Sequence, residues 1–320
     1  MTTAPLSFHR DLDAARQDAA QLQGRRERLV QRAKMMKALR TWFRKEDFLE
    51  VESPVRLPAP ALEDYIDAVE AGQGAWLRTS PELHLKRLLA AGYPRIFEIG
   101  PCFRKGEAGD HHREEFTMLE WYRVEGTWRD LMADARGMIA QAREAIHPGK
   151  SLLPFRGREI EFGGEWEEMT VEEAFRRYAT VSLRQAIDSG DFEMILCTQV
   201  EPHLGCTRPL FLTEYPLECS GLSAPLPGKE GFVARWELYV AGLEIGNACT
   251  ELADPAEQER RFLATASLRS HEHRPVYPMD QKYMNALWKG FPLCAGTAIG
   301  LDRLAMVLTN AQDIAQVRAF

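Results

Sequence analysis

Residues Phe97 to Arg123 read FEIGPCFRKGEAGDHHREEFTMLEWYR, two apolar runs with strand character around a polar insert, Lys105 to Glu114. The insert holds two Gly, three acids, two basic residues and two His. Hairpins that merely connect strands use about two to five residues, so an insert of this length is expected to hold something. Arg104 closes the first strand with a permanently charged planar fork suited to phosphate or carboxylate. In the second strand the period of two puts Phe116, Met118, Glu120 and Tyr122 on one face and Glu115, Thr117, Leu119, Trp121 and Arg123 on the other. A carboxylate, Glu120, is thus set among apolar neighbours. The competing reading, an edge hairpin with solvated charges, weakens as the rest of the chain is added.

Composition narrows the function. With 320 residues the chain can bury a large core, and a formal net charge of -7 argues against a surface built wholly to grip nucleic acid. No apolar run approaches the ~20 residues of a membrane span and no signal-peptide core opens the sequence, so no membrane partner is expected and a cytoplasmic location is. Cys102, Cys197, Cys206, Cys219, Cys249 and Cys294 form no CxxC pair and read as reduced thiols.

Along the chain, residues 1 to about 12 read as a loose arm. A helical stretch follows to Lys45, interrupted near Gly24, with Leu29, Ala33, Met36, Leu39 and Phe43 in one apolar stripe. Phe48 to Ser53 is extended and stops at Pro54. The apolar sides of this helix and strand suit either an oligomer interface or packing within the chain. A strand from Ala75 to Thr79 leads into SPELHLKRLLAAG, where Ser80 caps a helix, Pro81 opens it and Glu82 lies in its first turn. Trp128 to Ile146 is an amphipathic helix. Weaker helices fall at Val171 to Tyr178 and Leu183 to Ser189, and Pro216 to Gly231 reads as loop.

Two further stretches carry chemistry. In VARWELYVAGLEIGNACTEL, Val233 to Leu252, a two-residue turn at Ala241 and Gly242 sets Tyr239 opposite Glu244 and makes Glu237 a diagonal neighbour of Glu244. Two carboxylates that close call for a cation, and Mg²⁺ shared with substrate phosphates fits; Arg235 as counter-ion on a polar face is the alternative. Asn247 and Glu251 follow, four apart. In AGTAIGLDRLAMVL, Ala295 to Leu308, a glycine-bracketed strand meets a helix opening at Asp302 with Arg303 in its first turn, good chemistry for a phosphate.

Together these stretches resemble the catalytic domain of a class II aminoacyl-tRNA synthetase of lysyl type. The helix and strand ending at Pro54 resemble motif 1, Phe103 to Glu115 with its EFTMLEWYR tail resembles motif 2, and GTAIGLDR resembles motif 3. TSPELHLKRLL and GLEIGNACTEL resemble the lysine-site segments. The resemblance runs from about residue 27 to the C-terminus, with residues 1–26 as N-terminal arm and helix start, too short for an anticodon-binding OB domain. It implies an α+β fold with a six-stranded antiparallel sheet flanked by helices, a homodimer, and ATP-dependent formation of an aminoacyl adenylate. Within the superfamily the wording EFTMLEWYR and Ala298, where synthetases carry Gly, resemble the shorter paralogues that attach (R)-β-lysine to a lysine of elongation factor P.

Carried over residue by residue, the resemblance makes Arg104 and Arg303 the catalytic, phosphate-binding arginines. Glu107, His112, Phe116 and Gly300 complete the ATP site, and Glu237 and Glu244 hold Mg²⁺. Ser80, Glu82, Glu120, Tyr122, Asn247, Cys249, Glu251 and Ala298 take the lysine-like substrate. Gly106 stands where a Glu often follows the motif 2 arginine by two, Arg113 and Glu114 replace Asn-Pro, and Cys249 replaces an aromatic that packs on the substrate stem. The expected reaction is activation of (R)-β-lysine or lysine and transfer to elongation factor P, with tRNA not expected as partner. Aminoacylation of tRNA or a small acceptor, and a non-catalytic nucleotide-binding module, are the alternatives.

Overall fold

The computed structural model describes residues 11–219 and 221–320, so residues 1–10 of the expected arm lie outside the described residues. The first half runs α1 (Leu12–Gly24), α2 (Arg26–Lys45), β1 (Leu49–Glu50), β2 (Arg56–Leu57), β3 (Trp76–Leu77), α3 (Glu82–Ala90), β4 (Arg95–Phe103), β5 (Glu115–Val124) and α4 (Trp128–Ile146). There follow β6 (Leu152–Phe155), β7 (Arg158–Glu161), β8 (Glu167–Thr170), α5 (Val171–Tyr178), α6 (Leu183–Ser189) and α7 (Phe192–Ile195). The chain closes with β9 (Leu210–Pro216), β10 (Phe232–Val240), β11 (Leu243–Thr250), α8 (Pro255–His271), α9 (Gln281–Lys289), β12 (Cys294–Gly300) and α10 (Leu301–Thr309).

Eight strands form the main sheet in the order β1-β4-β5-β12-β11-β10-β9-β8. The six from β4 to β9 pair antiparallel, which is the α+β architecture expected from the sequence. The strand count corrects that expectation from six to eight. Short β1 joins β4 in parallel and short β8 joins β9 in parallel, so each edge gains a strand that comes back from a neighbouring helical region. Strand β9 was not read from the sequence. Its segment LFLTEYP is buried at six of seven positions, and continuous burial removes the alternation that marks a half-buried strand.

One face of the sheet carries the main core. Phe43 of α2 stacks on Phe97 of β4 with ring centroids 4.5 Å apart and meets Trp121 of β5 edge-on at 5.4 Å. Helix α4 lies beside α2, where Gln141 donates to the Ala38 carbonyl at 3.1 Å. The buried stripe of α2 is Met35, Ala38, Leu39 and Phe43; Ala33 is exposed, because at about 100° per residue it falls on the side of the helix away from that stripe. Helices α4, α5 and α6 begin and end where the sequence places them. Each has a side-chain cap: Thr127 with Asp130, Thr170 to the Glu173 amide, and Ser182 with Gln185. No helix among the described residues is long and apolar enough to cross a membrane.

Candidate active site

The site lies on the other face of the sheet and is organised by register. Glu98 of β4 pairs with Glu120 of β5, Glu120 with Ala298 of β12, Ala298 with Asn247 of β11, and Asn247 with Glu237 of β10. One row of cross-strand partners therefore carries five of the groups that matter. A second row runs Tyr122, Gly296, Cys249 and Arg235. The turn between β10 and β11 forms at Ala241 and Gly242 with φ of 50° and 72°, and Tyr239 pairs with Glu244 as expected.

Above one end of these rows opens a cleft. Arg104, Glu107, His112, Phe116, Glu244, Asn247, Ala298, Gly300 and Arg303 all line it, although they come from three separate stretches of chain. The Arg104 guanidinium sits 5.2 Å from the Phe116 ring centroid and 3.8 Å from Glu107. Arg303 donates to the Glu244 carbonyl at 2.9 Å and to its carboxylate at 3.2 Å, and its Nη2 lies 2.5 Å from Nε2 of His112. A guanidinium donating there makes that ring nitrogen an acceptor, so the imidazole is neutral; burial first, and Arg303 second, hold its pKa below the ordinary histidine value.

The long loop between β4 and β5 is held at several points. Glu114 accepts from the Gly106 amide at 2.6 Å, with Gly106 at φ 79°, a conformation that a side chain disfavours. That geometry accounts for glycine where the resemblance would place Glu. Arg113 pairs with Asp313 at 3.2 Å, and the Ile314 amide donates to the Asp110 carbonyl at 2.8 Å. Asp302, 1 % exposed, accepts from the Thr117 amide at 2.9 Å, from Arg318 at 3.1 Å and from Arg32.

Beside the cleft lies an acidic pocket. Glu120 is 2 % exposed and accepts from the Tyr122 hydroxyl at 3.1 Å. Burial and then the charge of Glu82 push its pKa well above the carboxylate range. Ser80 accepts from the Glu82 amide at 3.1 Å, fixing the start of α3 one residue later than the sequence suggests. Glu82 and Glu251 both contact the ammonium of buried Lys86. Gly296 forms the floor: a Cβ there would overlap both the Tyr122 ring and the Glu251 carboxylate. Cys249, half-buried, lies beside them, and loss of solvent around it pushes its thiol pKa up.

Glu237 and Glu244 are less alike than the sequence suggests. Glu244 faces the cleft, whereas Glu237 is 8 % exposed, pairs with Arg235 at 2.5 Å and accepts from Tyr239 at 2.6 Å. The Tyr239 hydroxyl also lies 3.1 Å from Glu201, whose carboxyl is pushed up to about 7 by burial and by Glu237 and Glu244. Glu201, from the segment before β9, escaped sequence reading because nothing local marks it. Lys86 escaped although its spacing of four from Glu82 on one helix was visible. Arg78, fully buried against Glu98 beneath the pocket, was also missed.

An arginine-lined cleft and a carboxylate pocket thus share one face of the sheet. The chain matches the family of class II tRNA synthetases (D, K and N) over residues 13–320 and belongs to that family. It is 32% identical to the lysine–tRNA ligase of Chloroflexus aurantiacus, over 92% of this chain and 65% of that protein. To the lysine–tRNA ligase of Magnetococcus marinus it is 31% identical, over 92% of this chain and 64% of the relative. To the elongation factor P–(R)-β-lysine ligase of Salmonella gallinarum it is 33% identical, over 91% of this chain and 94% of that protein. The chain thus spans just under two thirds of the length of those two lysine–tRNA ligases.

Proposed function

We propose that this protein activates a lysine-type amino acid with ATP and transfers it to an amine, with (R)-β-lysine as preferred substrate and a lysine of elongation factor P as acceptor. The observation that carries the reading is the row Glu120–Ala298–Asn247, which sets an acidic pocket for ammonium groups directly beside an arginine-lined cleft. In the first step a substrate carboxylate oxygen attacks the α-phosphorus of ATP and pyrophosphate leaves. In the second the acceptor amine attacks the carbonyl, AMP leaves and the amine loses a proton. No side-chain nucleophile is required; the protein positions the reactants and offsets charge.

Arg104 and Arg303 would bind phosphates, with Phe116, Glu107, His112 and Gly300 around the nucleotide. Ser80, Glu82, Glu120, Tyr122, Asn247, Cys249, Glu251 and Ala298 would line the amino-acid side. Glu244, which faces the cleft, and Glu237, held by Arg235 and Tyr239, would be the hard oxygen donors for Mg²⁺; the pKa of Glu201 beside them is raised by burial first and by these two carboxylates second. The ion would supply neutralisation of phosphate charge. Arg303, held by Glu244 in the free protein, would then be available to the nucleotide.

The full-length match to an elongation factor P–(R)-β-lysine ligase supports the acceptor. The lysine–tRNA ligase relatives, equally similar over this chain, favour a second reading, aminoacylation of tRNA. Incubating the protein with ATP, Mg²⁺ and each lysine isomer, with elongation factor P and total tRNA as competing acceptors, separates them. Mass addition on a lysine of the factor supports the first reading; acid-precipitable label that ribonuclease removes supports the second.

A further inference from the structure

Lys86 places an ammonium inside the pocket that has to receive the ammonium groups of the substrate. Its side chain is 1% exposed and lies 2.5 Å from Glu82 and 2.6 Å from Glu251. Burial alone would lower its pKa, but Glu251 and Glu82 outweigh burial and hold it well above the ordinary lysine value. Tyr283 of α9 and Cys249 of β11 also face it, and Glu120 and Tyr122 of β5 complete the surroundings. Neighbouring charges cancel in pairs, Arg78 with Glu98 and Arg235 with Glu237, and half-buried Glu63 beside Glu82 faces Arg104. What remains is three carboxyl groups, Glu82, Glu120 and Glu251, against one ammonium.

Resting on the lysine-type activity proposed above, we infer that Lys86 is a specificity-determining residue of this site. By cancelling one of three carboxyl groups it leaves two acidic groups for the two ammonium groups of a lysine-type amino acid; Glu120, held protonated by burial in the empty pocket, ionises when an ammonium lies beside it. An amino acid with one ammonium leaves a buried carboxylate unmatched and is rejected, because an uncompensated buried charge is strongly unfavourable. Lys86 also keeps Glu82 and Glu251 apart in charge, since two carboxylates left facing each other share a proton.

The test is calorimetric titration of the full chain, without ATP, with lysine, (R)-β-lysine and norleucine, in which a methyl replaces the distal ammonium. Wild type is expected to prefer both lysine isomers over norleucine. Lys86→Met is expected to lower that preference by about tenfold. Lys86→Arg keeps the charge and the preference. The double variant Lys86→Met with Glu251→Gln returns the count to two and is expected to regain most of the preference; a packing role for Lys86 predicts a further loss there. An unchanged lysine-to-norleucine ratio in Lys86→Met, or a double variant no better than the single one, overturns the inference. The double variant decides alone if the single one does not fold. Failure of wild type to bind either lysine isomer overturns both this inference and the activity it rests on. Binding without adenylate formation overturns only that activity.

Discussion

At the scale of residues, position 298 decides how much room the amino-acid end of the cleft offers. Ala298 lies between Glu120 and Asn247 in register, so its methyl projects from the floor between the acidic pocket and the nucleotide side. Overpacking by one carbon costs about 1 to 3 kcal/mol, enough to disfavour an α-ammonium pressed toward it while sparing a β-ammonium one carbon further on. Ala298→Gly is expected to shift preference toward α-lysine and to allow tRNA charging. Comparing activation of both isomers by wild type and variant checks it, and no shift makes Ala298 a packing residue only. Glu201 gives a prediction in pH. Its folded pKa, near 7, exceeds the ordinary carboxylate value of about 4.5, so the folded state keeps a proton that the unfolded state has lost. Stability of the free protein from this group is therefore full below about pH 4.5 and is lost as pH rises through about 7. Urea midpoints of wild type and Glu201→Gln across pH 5 to 8 should converge in slope only above about 7; parallel curves throughout would show that Glu201 titrates normally. Residue identities such as Arg104, Glu120 and Arg303 were legible in the sequence because charge type and strand period are local. Glu201 and Arg78 were not, since their importance arises from what the fold puts beside them.

At the scale of elements, the hairpin β4–β5 is the piece on which the site depends, and Asp302 is its anchor. From the first turn of α10 it accepts from the Thr117 amide and from Arg318 and Arg32, joining the hairpin to α2 and to the C-terminal segment. Removing one partner of a buried charge network leaves the others uncompensated, at about 3 to 5 kcal/mol. Asp302→Ala should lower the chemical denaturation midpoint accordingly and raise the KM for ATP, since Arg303 is the next residue. A midpoint within error of wild type would contradict this role. Elements with caps or strict periods, α4, α5, α6 and the two hairpins, were legible at their ends. Strand β9 was not, because it is buried on both faces, nor was the short edge strand β8, whereas β1 falls within the extended stretch Phe48 to Ser53.

At the scale of the whole molecule, the helices on one face of the sheet form the core and leave the opposite face for chemistry. Val30 on α2 and Leu49 on β1 are about half exposed although apolar, and the homodimer that the resemblance implies would cover them. Sedimentation velocity should give twice the chain mass, and Val30→Glu with Leu49→Glu should halve it; a monomer in wild type would remove the dimer from the account. The general fold was legible because three motif stretches each imply strands that meet in one sheet. The identity of the acceptor was not, because no groove or charge in the sequence names it. The most direct measurement of the central claim is ATP–pyrophosphate exchange over a panel of amino acids. The account predicts exchange with (R)-β-lysine above that with α-lysine, and none with norleucine. No exchange with any lysine-type acid, under conditions where ATP binds, would contradict it.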